Sequence, residues 1–170
     1  MAETTQKKRM MMKEKHLSWI DVEASCLDMY KGMLDDCFVP DAIIGLLRGG
    51  VVPARIFSDS FGILMDFYAI DVKLYTGIGE RNEKPVIKPF HIDITGKKIL
   101  IVDDIWDSGR TMEAVLEELK GEDVTTATLY WKESAPAKPD YYYEPVKDDD
   151  WIIFPWEKDE FSRLKEERNK

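Results

Sequence analysis

Apolar and polar positions divide the chain into short apolar runs that alternate with helix-period segments. Ala42-Ile43-Ile44-Gly45-Leu46-Leu47 is an unbroken apolar run and predicts a buried strand. It leads into Arg48-Gly49-Gly50, and a helix is expected from Val51, with Pro53 in its first turn and Gly62 at its end. Met65–Lys73 alternates and is rich in β-formers, so it predicts a second strand. Ile99–Val102 is a third buried run. After a polar turn, Met112, Val115, Leu116 and Leu119 fall on one helix face. Val124–Trp131 is a further strand. Ahead of these, residues 17–34 carry apolar residues at helical spacing, with Ser18 and Asp21 placed as an N-terminal cap. Strands and helices thus follow one another from 42 to 131. That pattern predicts an α/β fold with a mainly parallel sheet flanked by helices on both faces.

Four stretches fit no strong period. Residues 74–90 hold Gly77, Gly79, Pro85 and Pro89, and are expected to form a long irregular loop. Residues 1–15 are basic and Met-rich, and suit a frayed end or a helical extension equally. Residues 132–157 are rich in aromatic side chains, prolines and acids and form a small C-terminal hood. Residues 157–170 are charged and predict an amphipathic helix. At 170 residues the chain suits one domain, with its core at about 17–131.

Composition narrows the class. Hydrophobic residues make up 44% and charged residues 34%, which fits a soluble globular protein. No apolar run reaches the ~20 residues of a membrane helix, and no secretory leader is expected, so the predicted location is cytoplasmic. Cys26 and Cys37 form no metal-ligand spacing and are expected to be reduced thiols. The net charge of −9 argues against a nucleic-acid partner. It also opposes any anionic ligand, so a phosphate site needs local cations and backbone amides. Arg48 and Arg110 are candidates.

The candidate chemistry centres on residues 99–111. An apolar strand runs into Asp103, Asp104 and Asp107, then into Ser108-Gly109-Arg110-Thr111 at the start of a helix. Amides and hydroxyls at a helix N-terminus suit a phosphate, and carboxylates beside it suit sugar hydroxyls. In open α/β sheets, ligands bind beyond the carboxyl ends of the strands. The Arg48-Gly49-Gly50 turn is a second such unit. Its glycines allow close backbone approach to an anion, and Arg48 offers a fork of donors.

The 99–111 run closely resembles the phosphoribosyl pyrophosphate (PRPP) motif of the type I phosphoribosyltransferases. Arg48-Gly49-Gly50 is similar to the pyrophosphate loop of the purine-salvage members. Lys132, a proline-containing turn, Asp140-Tyr141-Tyr142, a run of acids and Trp151-Ile152-x-x-Pro155-Trp156-Glu157 resemble the 6-oxopurine enzymes. The resemblance covers about residues 40–157 and departs in two places. Lys132-Glu133-Ser134-Ala135-Pro136 is longer than the direct Lys-Pro of many relatives, and the 74–90 segment is long.

The resemblance implies the following roles. Ser108, Gly109, Arg110 and Thr111 hold the 5-phosphate. Asp103 and Asp104 contact the ribose hydroxyls and reach Mg²⁺ directly or through water. Asp107 faces N7 of the base as general base. Leu47, Arg48, Gly49 and Gly50 take pyrophosphate, with a cis peptide at Leu47–Arg48. Lys132 binds O6, Trp151 stacks on the ring and Ile152 offers main-chain contacts. Tyr75, Thr76 and Arg81 are candidates in a lid. The implied reaction transfers ribose 5-phosphate from PRPP to guanine, hypoxanthine or xanthine, in a homodimer or homotetramer. The alternatives are another base or a PRPP-sensing regulator without catalysis.

Overall fold

The computed structural model describes residues 13–62, 64–76 and 83–168. Eight strands appear among them: β1 (Lys13–His16), β2 (Ala42–Leu47), β3 (Asp66–Thr76), β4 (Glu83–Ile87), β5 (Lys98–Trp106), β6 (Asp123–Lys132), β7 (Tyr141–Val146) and β8 (Asp150–Ile153). The helices are α1 (Trp19–Asp35), α2 (Val51–Phe61), α3 (Arg110–Glu118) and α4 (Lys158–Arg168). Six strands form one sheet in the order β4-β3-β2-β5-β6-β7. All its pairs are parallel except β3 with β4. The α/β architecture with a mainly parallel sheet is therefore as expected.

Strand alternation sorts the core into two layers. Ile43, Leu100, Val102, Ala127 and Leu129 face one side, against Val22, Cys26, Met29 and Met33 of α1 and Ala54 and Phe57 of α2. Ile44, Leu46, Ile99 and Ile101 face the other, against Met112 and Val115 of α3 and Leu119 just beyond it. A strand covered on both faces must be apolar at every position, which is why β2 and β5 read as unbroken runs. The start of α1 is fixed by reciprocal hydrogen bonds: Asp21 N–H donates to Ser18 Oγ at 3.2 Å, and Ser18 N–H donates to Asp21 Oδ2 at 2.8 Å. Both cysteines are free thiols, and burial pushes the Cys26 thiol up to about 12.

Several expectations are corrected. The 74–90 segment is not irregular throughout: β3 runs on to Thr76 and pairs with β4 from Val72↔Ile87 to Thr76↔Glu83. Pro85 had marked this stretch as a loop, but β4 is an edge strand, where a missing N–H is tolerated. Tyr75 and Thr76 thus lie on the backbone ladder opposite Lys84 and Glu83. Gly77, Gly79 and Arg81 lie outside the described residues, as do residues 1–12. Lys13–His16 is neither frayed nor helical; it pairs in parallel with β8, Lys13 opposite Asp150 and His16 opposite Ile153. β5 extends four residues past Val102, so Asp103 and Asp104 belong to the strand itself. The hood contains two strands. β7, carrying Pro145, closes the other edge of the sheet and is reached from β6 by residues 133–140 without a helix.

Candidate active site

The carboxyl ends of β2, β5 and β6 meet at one end of the sheet. The turn after β2 lies directly on the end of β5. A Cβ on Gly49 would overlap the Asp104 carboxylate. One on Gly50 would collide with Val102 O and stand 2.7 Å from Asp103 Cα. Glycine at 50 is therefore a packing requirement, set by main-chain neighbours, while Gly49 lies against the movable Asp104 carboxylate; the pair brings the two turns together. The Leu47–Arg48 peptide is cis. Arg48 Nη2 donates to Glu160 Oε2 of α4 at 2.9 Å, so its exposed guanidinium faces the C-terminal helix.

At the end of β5, Asp103 and Asp104 stand side by side, with Asp104 N–H donating to Asp103 Oδ1 at 2.9 Å. Burial, and then the neighbouring Asp104 charge, hold the Asp103 carboxyl well above its usual range. Burial, followed by repulsion from Glu157, raises Asp104 to about 6. Glu157 is itself raised, mainly by burial. These acids crowd together, with the Arg48 charge easing only Glu157 in part, an arrangement that favours a ligand carrying positive charge. After Asp107 and Ser108, Gly109 turns left-handed at φ 82, and α3 begins at Arg110 with no side-chain cap. A helix start of this kind directs N–H groups towards an anion.

This crowding has a stability consequence. A carboxyl whose folded pKa is raised binds more protons folded than unfolded, so it costs stability once pH rises above its unfolded value. Asp104→Asn removes that cost. In chelator and without ligand, its Tm at pH 7.5 is expected to exceed that of the parent, by about 1–3 kcal/mol in stability. The difference should vanish near pH 4, where both chains are neutral at this position. An equal Tm at both pH values would refute the effect.

The last residue of β6 is the buried Lys132. Its Nζ donates to Lys147 O at 2.8 Å and to Asp150 O at 2.5 Å. An ammonium has three N–H donors, so one remains for a ligand. The Asp150 carboxylate accepts Lys147 N–H at 3.0 Å and shapes this turn, while Ser134 Oγ donates to Asp148. Trp151 is 43% exposed and Ile152 is buried. Phe154 and Trp156 stack at 4.7 Å and 11°, forming a small aromatic core.

Three contiguous cavities open between these groups. One of about 220 Å³ is lined by Asp103–Gly109, Thr111, Met112 and Thr128. A second of about 310 Å³ is lined by Asp104, Ile105, Asp107, Lys132, Asp148, Asp150, Trp151, Ile152, Phe154 and Glu157. A third, open cleft of about 540 Å³ lies between Ser108, Arg110 and Glu113 on one side and Ser134–Pro136 on the other. Asp107 is the one described residue that lines all three. The structure thus gathers Asp103, Asp104, Asp107, Ser108, Gly109, Arg110, Thr111, Lys132, Trp151 and Ile152 around shared walls. Leu47 and Arg48 stand beside them through the Gly49–Asp104 contact. The sequence reading gave no role to Glu157 or Asp148. The Pro155-Trp156-Glu157 end of the hood motif was the available signal for Glu157. Asp148 had none beyond its acidic run.

Comparison with known proteins agrees with this geometry. A family model described as phosphoribosyl transferase domain matches residues 23–160. The xanthine-guanine phosphoribosyltransferase of Cereibacter sphaeroides is 39% identical over 118 residues, 68% of each chain. The purine phosphoribosyltransferase of Pyrococcus horikoshii superposes with a TM-score of 0.73 at 37% identity, covering 85% of this chain and 95% of that one. The xanthine-guanine-hypoxanthine phosphoribosyltransferase of Helicobacter pylori gives 0.71 at 29% identity, covering 91% and 99%. With that match spanning the sheet, both glycine turns and the hood, the chain belongs to the phosphoribosyl transferase domain family.

Proposed function

We propose that this enzyme transfers ribose 5-phosphate from PRPP to N9 of a 6-oxopurine, giving the nucleoside 5′-monophosphate and pyrophosphate in purine salvage. The observation that carries the reading is the position of Asp107. It stands between the cavity built on the phosphate turn and the cavity flanked by Trp151 and Lys132. A sugar in the first and a purine in the second would meet at that carboxylate.

Each group then has a physical task. The amides and hydroxyls of Ser108–Thr111 hold the 5-phosphate at the start of α3. Asp103 and Asp104 accept hydrogen bonds from the ribose hydroxyls, and their charge favours the cationic character that develops at C1 as pyrophosphate departs. The Leu47–Gly50 turn receives pyrophosphate, for which Arg48 must leave Glu160. Trp151 covers the base and Ile152 offers its backbone. Lys132 donates to O6; the same donor would meet the 6-amino group of adenine donor to donor. As N9 bonds to C1, Asp107 accepts the N7 proton. Tyr75 and Thr76 serve in a lid that excludes water from the reacting centre.

The paired carboxylates also suit Mg²⁺, a hard cation that takes oxygen ligands. Among the described residues no cluster of three or more acids, His or Cys is arranged to hold a metal alone. Asp103 and Asp104, directly or through water, would therefore share the ion with PRPP oxygens. The ion supplies charge neutralisation of the leaving pyrophosphate. On this reading the protein works in the cytoplasm as a homodimer or homotetramer without a nucleic-acid partner. Among the described residues no helix is long and apolar enough to cross a membrane.

The direct test is to incubate the protein with PRPP and Mg²⁺ and assay each purine and pyrimidine base for nucleotide and pyrophosphate. Product from guanine, hypoxanthine or xanthine is expected; none from any of them overturns the proposal. Product from adenine or a pyrimidine instead would favour another base, and PRPP binding without any product would favour a regulator. Lys132→Met is expected to raise KM for the 6-oxopurine by about 10–100-fold while Kd for PRPP changes little. A parallel rise in both constants would show a general structural loss instead.

A further inference from the structure

The 540 Å³ cleft borders the phosphate turn at Ser108 and Arg110, but its outer Ser134–Pro136 side has no task in the reaction as described. It shares Asp107, Lys132 and Asp148 with the base cavity, so the two spaces communicate across that wall. Its outer side is the Ser134–Pro136 turn, which belongs to the longer segment that sets this chain apart from the direct Lys-Pro pattern. Ser134 and Pro136 are exposed, and the cleft opens to solvent between them and α3.

We propose that this enzyme also accepts 6-oxopurines carrying a small substituent at C8. The inference rests on the base orientation given above. With O6 at Lys132 and N7 at Asp107, the O6–N7 edge of the ring runs along the shared wall. C8 is the next ring atom, between N7 and N9. N9 must face the sugar in the phosphate-turn cavity. C8 therefore looks past Asp107 towards Ser108, into the open cleft rather than into packed protein. A methyl group or bromine atom there meets space and hydroxyl-bearing walls. The chemistry is unchanged. N9 forms the bond to C1, the bond from C1 to the pyrophosphate oxygen breaks, and the N7 proton passes to Asp107. A C8 substituent that is not itself acidic leaves the N7–H tautomer intact.

The experiment compares kcat/KM for guanine, 8-methylguanine and 8-bromoguanine with PRPP and Mg²⁺. Methyl donates electron density and bromine withdraws it, so a common outcome reports space rather than electronics. Both analogues are expected within about tenfold of guanine, the scale on which a pocket senses one added group. A loss beyond that for both overturns the inference. Ala135→Phe places a ring at the cleft wall, on a residue whose side chain is not among the proposed binding groups. It is expected to reduce turnover of the analogues by more than about tenfold and to spare guanine; an equal fall for all three bases overturns the proposal. Should that variant not fold, the comparison on the unaltered chain decides alone. Guanine separates the two claims: no turnover of any 6-oxopurine defeats the proposed function. Turnover of guanine with rejection of both analogues defeats only the cleft.

Discussion

Asp107→Asn is expected to lower kcat by about 10²–10⁴-fold, the usual contribution of a positioned general base. Asn keeps the size and much of the polarity of the side chain but cannot take a proton. PRPP is held by the phosphate turn, the Asp103–Asp104 pair and the Leu47–Gly50 turn, so its Kd should stay within about threefold. The split between kcat and Kd is the diagnostic part. Asp107 borders the sugar cavity, the base cavity and the outer cleft. A loss confined to binding would mean that it only shapes those walls, and near-normal turnover would remove it from the chemistry. Steady-state kinetics with an independent PRPP titration measure both.

The second large effect is steric. Gly50 has ordinary helical angles, φ −65 and ψ −19, so alanine there meets no backbone strain. The obstacle is what its Cβ would touch: Val102 O, Asp103 Cα at 2.7 Å and Leu46 O at 2.9 Å, all main chain. Rigid strand atoms cannot rotate aside, so α2 and β5 must separate. Gly50→Ala is expected to cost about 1–3 kcal/mol, the range for overpacking a filled site. That corresponds to a Tm lower by about 3–10 °C in a chain of this size. Turnover should fall as well, because the same shift moves Asp103 away from the turn after β2. Gly32→Ala in α1 is the control. Nothing lies within 4 Å of its Cβ position, so it should be neutral or slightly stabilising. Equal Tm values for the two variants would show that the contact is not tight.

The sequence made the centre of the sheet legible because burial on both faces leaves an unbroken apolar signature at 42–47 and 99–102. The phosphate turn was legible because its chemistry is local: acids, glycine and hydroxyls lie within a few residues of one strand end. The edges were not. β4 and β7 contain proline and a mixed face, so periodicity reads them as loops. β1 owes its strand conformation to β8, more than 130 residues away, and four residues carry no period of their own. Glu157 was missed for a related reason. Its effect falls on Asp104 across the fold, while its own described contacts, with Phe154 and Glu160, are local and carry no sign of that role. The Arg48–Glu160 pair spans 112 positions and leaves no mark on either local sequence.

The prolines at the two ends of the six-stranded sheet have a consequence for the protein in a crowded solution. An open sheet of this size ends in two rows of hydrogen-bonding groups, a template onto which another chain can add a strand. Pro85 stands in one terminal strand and Pro145 in the other, so neither presents an unbroken row of donors. Runaway edge-to-edge aggregation is hindered at both ends. Orderly association of copies by continuing this six-stranded sheet is disfavoured for the same reason.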